Sequence, residues 1–600
     1  MTRNIRRTQT GGVVVSEPPL ETVRVWPTWW TLEHYAYGLL LFAALFVRFL
    51  WLGARPLSRL EAHLSWLAWH NVQPLPHMLV QAVSPLAYSV QWVWFLVTGG
   101  SDALARFWPA LVGAVIVVFP YFLREQIGRE RALLAALLLA FSTHGVYWSR
   151  HASGVMFAVV TSLGLVLAVL AWISVLANKP HAQPLSADEL FLLRRRLNLV
   201  FVMLALTLLS DAAVYTALVG IIVGLWPLRD TIVRAWHDVG SQARHRGVGV
   251  FLLTFLLAGS AFLTDVFVLG NAGDLLGQWV MSFWRGAGYP WYWVVFRLIA
   301  DEPLLVVLGI WGAWRAWRSS SVWKRLWLWW FVVGLVFSFR PGRTSADVAL
   351  LVVPLVFLAA DTLWDVLRLL REPSSTWREE GVLAGAFFVI LVFWSMMVAG
   401  YLYSGEDRYI PALIVIPFLF AALLGLYSFW LGKKATLRVG LFALLITLVV
   451  WSWMAMWVQN LHVDRAAALD VFPGIERSVT YWDVRLMVDT LERISAEKVT
   501  DWHEVAVDAV LTPQDDVLRW YLREFKHLRE VPSVKSITSP VAITHPGIAE
   551  LSGYTGMDWV VEIQGLPTDL DGSFYHWWLY REAKSLPQEE RVILWVTSEQ

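Results

Sequence analysis

The chain has 600 residues, of which 57% are apolar and only 16% are charged, whereas a typical soluble domain carries about 25% charged residues. This composition, with a mean hydropathy of +0.54, excludes an ordinary soluble protein and predicts an integral membrane protein. The formal net charge of +1 argues against nucleic-acid binding, and the lack of cysteine excludes disulfides, thiol catalysis and cysteine-bound metals.

The near-zero net charge combines two unlike parts of the chain. From Val458 to the end there are 13 basic and 23 acidic residues, a net charge of −10, which leaves 35 basic and 24 acidic residues, a net charge of +11, before it. We therefore expect a basic, tryptophan-rich membrane body followed by a soluble acidic domain. The polar stretch before the first apolar run is too long and too charged to begin a cleaved signal peptide, so we expect the first helix to be a retained anchor.

Thirteen apolar runs are long enough, with allowance for tilt and short helices, to cross a hydrocarbon core of about 30 Å. In chain order they are 35–52, 104–123, 132–148, 155–176, 197–209, 213–226, 248–269, 303–317, 326–339, 348–360, 382–402, 410–431 and 439–458. The stretch 76–97 is also apolar, but prolines at 74, 76 and 85 interrupt it. We expect it to lie on the outer interface or dip into it rather than cross the membrane.

Arginine and lysine counts give the orientation. With the N-terminus inside, the cytoplasmic segments hold 25 of these residues and the short outer loops hold 9, as the positive-inside rule predicts. The run 197–226 is expected to form two helices around Ser210 and Asp211, because the arginines on both sides of it belong in the same compartment. The predicted organisation is a cytoplasmic tail 1–33, a membrane domain 34–458 with outer segments 53–100 and 270–302, and an extracytoplasmic domain 459–600.

The acidic tail alternates two kinds of pattern. The stretches 484–496 and 515–525 are helix-like, and the stretches 504–510, 541–544, 559–563 and 592–596 are strand-like. We therefore predict one C-terminal α/β domain, with its acidic groups on a solvated surface.

Five outer loops collect the unusual polar residues. They are the loop 53–100, Ser149-Arg150-His151, the loop around Asp211, the loop 270–302, and Arg340-Pro341-Gly342-Arg343. Arginines beside apolar helices suit a lipid-linked phosphate, and a carboxylate such as Glu61 could act as a general base or hold a divalent cation. The alternative is that the arginines reach lipid headgroups and Glu61 is a solvated loop acid. His63, His70 and His77 are more typical of interfacial histidines than of a metal site.

Several stretches, taken in order, resemble a known family. These are Gly53-Ala54-Arg55-Pro56-Leu57 with Glu61-Ala62, Asp102-Ala103-Leu104-Ala105-Arg106-Phe107-Trp108-Pro109, and Tyr147-Trp148-Ser149-Arg150. They resemble the GT-C membrane glycosyltransferases of the protein-mannosyltransferase and aminoarabinose-transferase type. Four further stretches resemble one branch of this family, the flippase-activity-associated branch related to family-39 glycosyltransferases. They are Phe262-Leu263-Thr264-Asp265, Tyr289-Pro290-Trp291-Tyr292-Trp293, Glu302-Pro303-Leu304-Leu305 and, in the tail, Trp520-Tyr521-Leu522-Arg523.

The resemblance implies transfer of a sugar from a polyprenyl-phosphate carrier on the outer face, with the catalytic Asp coming from an Asp-Glu pair in the first outer loop. In this chain the Asp position is Leu60, and only Glu61 remains. A leucine cannot take a proton or bind a metal. Three further stretches also differ from the sequence pattern that the family usually has at the corresponding positions. They are His151-Ala152-Ser153-Gly154, Ser210-Asp211 and Arg340-Pro341-Gly342-Arg343.

Two functions stay open at this point. The first is a polyprenyl-phosphate-dependent glycosyltransferase of a prokaryotic plasma membrane, with Glu61 as candidate base and Arg150, Arg340 and Arg343 as phosphate contacts. No metal ligand is assigned, although such a site could use a divalent metal ion. The second is a catalytically inactive GT-C-fold subunit that serves as a structural or binding component of a membrane complex. A lipid transporter is disfavoured because ionisable groups are scarce within the helices.

Overall fold

The fold is described from a computed structural model of the chain. It is described for residues 31–176, 185–371, 377–461, 475–547, 551–566, 577–578 and 588–597. The cytoplasmic tail predicted at 1–33 lies outside these residues except for its last three.

Helices make up most of the described chain. They are α1 Leu32–Phe49, α2 Arg59–His70, α3 Pro85–Thr98, α4 Asp102–Val115, α5 Phe119–Phe122, α6 Arg124–Ile127, α7 Arg129–Phe141, α8 Thr143–Ser149, α9 Val155–Ile173, α10 Ala187–Leu208, α11 Val214–Leu225, α12 Arg229–Asp238, α13 Ser241–Gly259, α14 Gly270–Met281, α15 Trp293–Asp301, α16 Pro303–Arg318, α17 Val322–Phe337, α18 Ser345–Leu370, α19 Trp377–Ser404, α20 Ile410–Leu431, α21 Lys433–Asn460, α22 Asp483–Val499 and α23 Asp516–Leu522.

Each of the thirteen predicted apolar runs overlaps a helix, although the run 248–269 continues beyond the end of α13 and the run 132–148 covers parts of both α7 and α8. In the described chain, eight helices are long and apolar enough to cross a membrane, or nine if the pair α7 and α8, bent by 57° at Ser142, counts as one span. The other four fall short for visible reasons: α16 and α17 have only 16 residues each, and α10 and α13 begin with charged segments. The protein is therefore a polytopic helical membrane protein, and the number of thirteen crossings stays a prediction.

Helix α18 is the centre of the membrane domain. The apolar part of its 26 residues is wholly buried, and it packs against α7, α9, α16 and α17. Helices α19, α20 and α21 pack mainly on one another, and many of the apolar side chains of α20 are exposed. The core is thus built around α18, with α20 facing outward as expected for a helix in contact with lipid.

The helix bounds bear on two segments whose structure was uncertain from the sequence. The run 197–226 contains two helices, α10 and α11, separated at Ser210 and Asp211, as predicted. The stretch 76–97 becomes helical only at Pro85, which takes a position that proline favours at a helix start. Helix α3 packs between α2 and α4, and its position relative to the membrane surface stays a prediction.

The tail forms the predicted α/β domain. Its strands are β1 Ser478–Thr480, β2 Val507–Ala509, β3 Leu528–Glu530, β4 Val541–Thr544, β5 Tyr554–Gln564 and β6 Gln588–Thr597. They form one six-stranded sheet in the order β1-β5-β6-β4-β2-β3, in which β2 pairs in parallel with β3 and β4 and the other pairs are antiparallel. Helices α22 and α23 connect the first three strands.

The tail is docked on the first outer loop rather than standing apart from it. A single hydrophobic cluster contains Leu57 and Tyr88 of that loop together with Leu518 and Trp520 of the tail. Polar contacts reinforce this docking, because the backbone N–H of Leu57 donates to the Tyr521 hydroxyl at 2.9 Å. The first outer loop and the tail therefore share one core.

Asp102, at the start of α4, is the main polar anchor of this contact. Its carboxylate accepts hydrogen bonds from the indole N–H of Trp520 at 2.8 Å, from the Tyr521 hydroxyl at 2.7 Å and from Arg485. The guanidinium group of Arg485 also donates to the carbonyl groups of Gly53 and Ala54. A cavity of about 400 Å³ lies at this junction.

Candidate functional site

The five polar outer loops come together at the end of the membrane domain that carries the tail. The first loop reaches the second through Ser58 and His151, whose side chains are 2.8 Å apart, and reaches the third where Leu86 N–H donates to the Leu209 carbonyl at 3.0 Å. The amide of Asn271 in the fourth loop donates to the Val80 carbonyl at 3.0 Å. The fifth loop contacts the fourth, since the backbone N–H of Gly342 donates to the Ser282 carbonyl at 2.6 Å. This assembly is the candidate site.

Glu61 lies at the centre of this assembly and is 1% exposed. The guanidinium group of Arg106 binds it in a bidentate manner, with Nε 2.7 Å from Oε1 and the second nitrogen 2.6 Å from Oε2. The backbone N–H groups of Ser58 and Ala152 donate to the same carboxylate at 2.9 Å and 2.8 Å. The contact with Ser58 forms a capping box. Glu61, the third residue of α2, accepts with its side chain the backbone N–H of Ser58, the residue that precedes the helix.

These contacts stabilise Glu61 as a carboxylate. Burial by itself would raise its pKa, but the charges of Arg106 and His151, with the hydrogen bonds from Arg106 and Ala152, lower the pKa from 4.5 to about 2. A carboxylate with this pKa is a weak proton acceptor at neutral pH. Both of its oxygens are already occupied by donors.

Leu60, at the position where the sequence resemblance led us to expect a catalytic Asp, is 62% exposed. Leu60 is exposed although the next residue, Glu61, is buried, because the side chains of successive residues in a helix point about 100° apart. The exposed position of the pair therefore carries an apolar side chain.

Arg150 holds the end of α1. Its guanidinium group donates to the carbonyl groups of Val47, Arg48 and Leu50 at 3.0, 2.9 and 2.7 Å, and to that of Trp51 at 3.3 Å. The last carbonyl groups of a helix lack partners within the helix, and a cation there also complements the helix dipole. These bonds engage Arg150 with the protein itself.

Arg340 and Arg343 lie beyond the end of α17. Arg340 donates to the Asp347 carboxylate at 2.9 Å and to the Ser282 hydroxyl at 2.8 Å. Arg343 donates to the Tyr289 carbonyl at 2.5 Å and to the Phe339 carbonyl at 3.2 Å. Among the described residues the Nε–H group of Arg343 has no hydrogen-bond partner. The two arginines lie close to each other and apart from the contacts of Arg150.

His151 begins the stretch 151–154, in which the sequence resemblance led us to expect an acidic pair. Its Nε2 is 2.8 Å from the Ser58 hydroxyl, 3.0 Å from Glu476 and 3.9 Å from Glu61. Burial alone would lower its pKa, but the two carboxylates outweigh burial and raise it. His151 thus lies between two buried acidic groups, one from the membrane domain and one from the tail.

A second pair, His77 and Asp265, was missed by the sequence reasoning as a functional unit. Nε2 of His77 is 3.0 Å from Asp265 Oδ2, which also accepts from the Tyr88 hydroxyl at 3.2 Å. Asp265 is 3% exposed, whereas the His77 side chain is 47% exposed. Asp265 directly follows a turn in which residues 261–263 have φ angles of 45°, 58° and 71°, an unusual and strained conformation for residues other than glycine.

The histidines of the first outer loop do not converge on one point. His63 lies 2.8 Å from Asp516, and His70 lies 3.0 Å from the Pro76 carbonyl, while His77 faces Asp265. In the described part of the chain, one group has the spacing of a metal site, namely Asp515, His545 and Glu590 in the tail. Asp515 and His545 bond each other at 2.9 Å.

No protein-family model matches the sequence, and no curated protein matches it at a significant level. Solved structures match it by fold. ArnT from Cupriavidus metallidurans bound to undecaprenyl phosphate has a TM-score of 0.53 and 14% identity, covering 95% of this chain and 100% of its own. The same protein in the apo state has a TM-score of 0.52 with the same identity and coverage.

The chain has the GT-C fold. This agrees with the aminoarabinose-transferase type of fold expected from the sequence. AglB of Archaeoglobus fulgidus, an archaeal oligosaccharyltransferase solved with an inhibitory peptide and a dolichol-phosphate, has a TM-score of 0.50 and 11% identity. It matches 83% of this chain and 64% of its own. The branch of the GT-C fold to which the chain belongs stays a prediction.

Proposed function

We propose that this GT-C-fold protein binds a polyprenyl-phosphate-linked sugar at its outer loops without transferring that sugar through Glu61. It would thus serve as a non-catalytic binding component of a membrane complex. The observation that carries this proposal is the state of the first-loop pair: Leu60 replaces the Asp, and Glu61 is fully engaged by Arg106, Ser58 and Ala152.

The contacts of Glu61 argue against a role as general base. A general base must reach the proton that it removes, and it works best with a pKa near the operating pH. Glu61 is buried, and its pKa of about 2 lies several units below neutrality. Freeing it would leave the buried Arg106 without its carboxylate partner, which is strongly unfavourable.

Binding of the lipid carrier is supported by two observations. The fold is similar to that of ArnT, which was solved with undecaprenyl phosphate. Arg343 also has a buried Nε–H group with no partner among the described residues, and a phosphate oxygen would satisfy this donor. We retain all three arginines as proposed phosphate contacts and rank Arg343 first, because Arg150 and Arg340 are more fully engaged with the protein.

The domain organisation belongs to the same proposal. It consists of a membrane domain 34–458 with outer segments 53–100 and 270–302, and a domain 459–600 on the outer side of the plasma membrane. The N-terminal tail 1–33 would be cytoplasmic. The surroundings are membrane lipids, and the partners are proteins that use the bound carrier.

The test uses the full chain in liposomes with a radiolabelled polyprenyl-phosphate sugar. We expect binding without turnover above that of empty liposomes. Arg343→Gln should weaken binding by about tenfold, because a charge-assisted hydrogen bond is lost. Arg285→Gln, which removes an exposed arginine of the fourth loop, is the matched control and should bind as the unmodified protein does. Any turnover above that of empty liposomes by the unmodified protein would overturn the proposal.

Sugar transfer with a different base is the second candidate, and one observation favours it. The buried Asp265 orients the half-exposed His77, which is the arrangement of a histidine base held by a carboxylate. In this case transfer would survive Glu61→Gln and disappear in His77→Asn. Asp265→Asn should lower the rate as well, because the orienting carboxylate is lost. If the unmodified protein transfers no sugar, this second candidate function is excluded.

A further inference from the structure

A cavity at the end of the membrane domain away from the tail plays no part in the proposed function. It has a volume of about 130 Å³ and lies between α6, α7, α16, α17 and α18. Ser345 at the start of α18 donates a hydrogen bond to the Ile475 carbonyl of the tail. Asp361, which lines the cavity, comes 16 residues later on the same helix, a distance of about 24 Å. The cavity therefore lies on the opposite side of the membrane domain from the outer loops.

Positive charge is in excess around this cavity. Nε of Arg131 is 2.9 Å from one oxygen of Asp361, and Nζ of Lys324 is 2.7 Å from the other. Arg315 lies 3.7 Å from Asp361 and forms an ion pair with Asp365. Three cations thus share two carboxylates, so the cluster can accept one more negative charge.

One wall of the cavity is aromatic and carries an unused donor. Trp327 is 3% exposed and stacks on Phe357, with the ring centres 4.0 Å apart and the ring planes at 10°. Its indole N–H group has no hydrogen-bond partner among the described residues, and neither has the side-chain carbonyl oxygen of Gln126. Both residues line the cavity. A buried N–H group without a partner is costly, so a ligand with acceptor oxygens would relieve it.

The surroundings match the boundary between lipid and water. Trp311, Trp314 and Trp317 of α16 are exposed near this end of the bundle. Tryptophans concentrate where the hydrocarbon core meets the headgroups. Basic pockets between membrane helices at that level bind the headgroups of anionic lipids.

We propose that this cavity binds the phosphate headgroup of an anionic phospholipid from the leaflet opposite the tail, which is the inner leaflet in the predicted topology. The phosphate accepts from Lys324, Arg131 and the indole N–H of Trp327. The oxygen of Gln126 can accept from a headgroup hydroxyl, which favours a phosphoglycerol headgroup. This site is separate from the outer loops, so it stands or falls independently of the proposed function.

The test compares two lipids with the same acyl chains on the purified full-length protein by native mass spectrometry. We expect phosphatidylglycerol to bind more tightly than phosphatidylcholine. Lys324→Gln should weaken phosphatidylglycerol binding by about fivefold, because one cation near a lipid phosphate is removed. Arg325→Gln is the matched control: it removes an exposed charge at the next position, which does not line the cavity. This control should change the affinity by less than about twofold.

Trp327→Phe provides a second variant that keeps an aromatic ring against Phe357 and removes the N–H group. It should weaken phosphatidylglycerol binding by about fivefold, as expected for the loss of one hydrogen bond. Equal binding of the two lipids, or equal effects of Lys324→Gln and Arg325→Gln, would overturn the proposal. Displacement of the lipid by inorganic phosphate at comparable concentrations would also overturn it, because the ligand would then be free phosphate.

Discussion

Arg106 binds both carboxylate oxygens of Glu61 at 2.6–2.7 Å in the interior of the outer loops. The same guanidinium group donates to the carbonyl groups of Leu52, Arg55 and Pro56, so it ties α2 to the end of α1. Glu61 thus belongs to the framework of the site, and its substitution should be read first as a change in stability.

A double-mutant cycle on this pair should show strong coupling. Arg106→Gln leaves a buried carboxylate with two backbone donors and the more distant His151, so the free energy of unfolding should fall by about 3–5 kcal/mol. The double variant Glu61→Gln with Arg106→Gln should lose about 2 kcal/mol less than the two single losses added together. Arg195→Gln, which removes an exposed arginine of α10, is the control and should cost less than about 1 kcal/mol. Additive losses in thermal or denaturant unfolding would contradict the coupling.

Acid should remove the stabilisation that Glu61 provides. Folding lowers its pKa from 4.5 to about 2, so the ionised group stabilises the folded protein above about pH 4.5. That contribution, about 3 kcal/mol, is lost as the pH falls from 4.5 towards 2. As the pH falls over this range, the unfolding midpoint of the unmodified protein should approach that of Glu61→Gln. If the two pH curves run parallel, Glu61 does not titrate as its contacts require.

Asp102 should control how firmly the tail is docked. Asp102→Asn weakens the acceptor for Trp520, Tyr521 and Arg485, which should cost about 1–3 kcal/mol of docking free energy. Backbone amide exchange in α22 and α23 should then be about tenfold faster or more. Asp489→Asn, an exposed carboxylate that lines the same junction cavity, is the matched control and should leave exchange unchanged. Similar exchange in both variants would show that Asp102 is not the anchor.

Gly154 should tolerate no side chain. A Cβ atom there would lie 2.0 Å from the Ser210 carbonyl oxygen and 2.6 Å from Ser84 Cβ, so three outer loops meet at this residue. Gly154→Ala should destabilise the protein by about 1–3 kcal/mol because backbone must move. Gly249→Ala, in helix α13 with no neighbour within 4 Å, should be neutral or stabilising by about 0.5 kcal/mol. Thermal unfolding of the two variants is the measurement.

Restoring the family residue tests whether the rest of the site is intact. Leu60 is exposed, so Leu60→Asp should cost less than about 1 kcal/mol and leave the fold unchanged. If the donor site is retained, this variant should transfer sugar at about ten times the background rate of empty liposomes or more, because a free carboxylate is then present at the exposed position. Leu60→Asn, which has the same shape without a proton-accepting carboxylate, is the control. Equal rates for the two variants would show that more than the missing Asp has been lost.

The sequence was most informative where physical constraints act along the chain. Long apolar runs predicted the positions of the membrane helices, and alternating patterns predicted most of the tail. The three-residue strands β1 and β3 were missed because they lie at the two edges of the sheet and are only partly buried, so they carry no apolar run. Strand β2 is equally short but fully buried, and it lies within the predicted stretch 504–510.

Side-chain contacts between distant segments could not be predicted in this way. Glu476 meets His151 from a position more than 300 residues later, and no local spacing indicates such a contact. One signal was present in the sequence: Ser58-x-x-Glu61 has the capping-box spacing, which would have assigned Glu61 to the start of α2. The arginine contacts depend on where helices end in space, so composition alone could suggest phosphate binding but could not reveal the carbonyl partners.

The docking of the tail on the first outer loop has a consequence for biosynthesis. Leu57 and its partner Tyr521 are 464 residues apart. At about 5–20 residues per second, the ribosome makes the second partner roughly 25–90 seconds after the first. During this interval the apolar face of α2 has no tail to cover it, so insertion of the later helices must be completed while that surface is still exposed. We therefore expect the first outer loop to be the part of the newly made chain that most needs a chaperone or the membrane surface for protection.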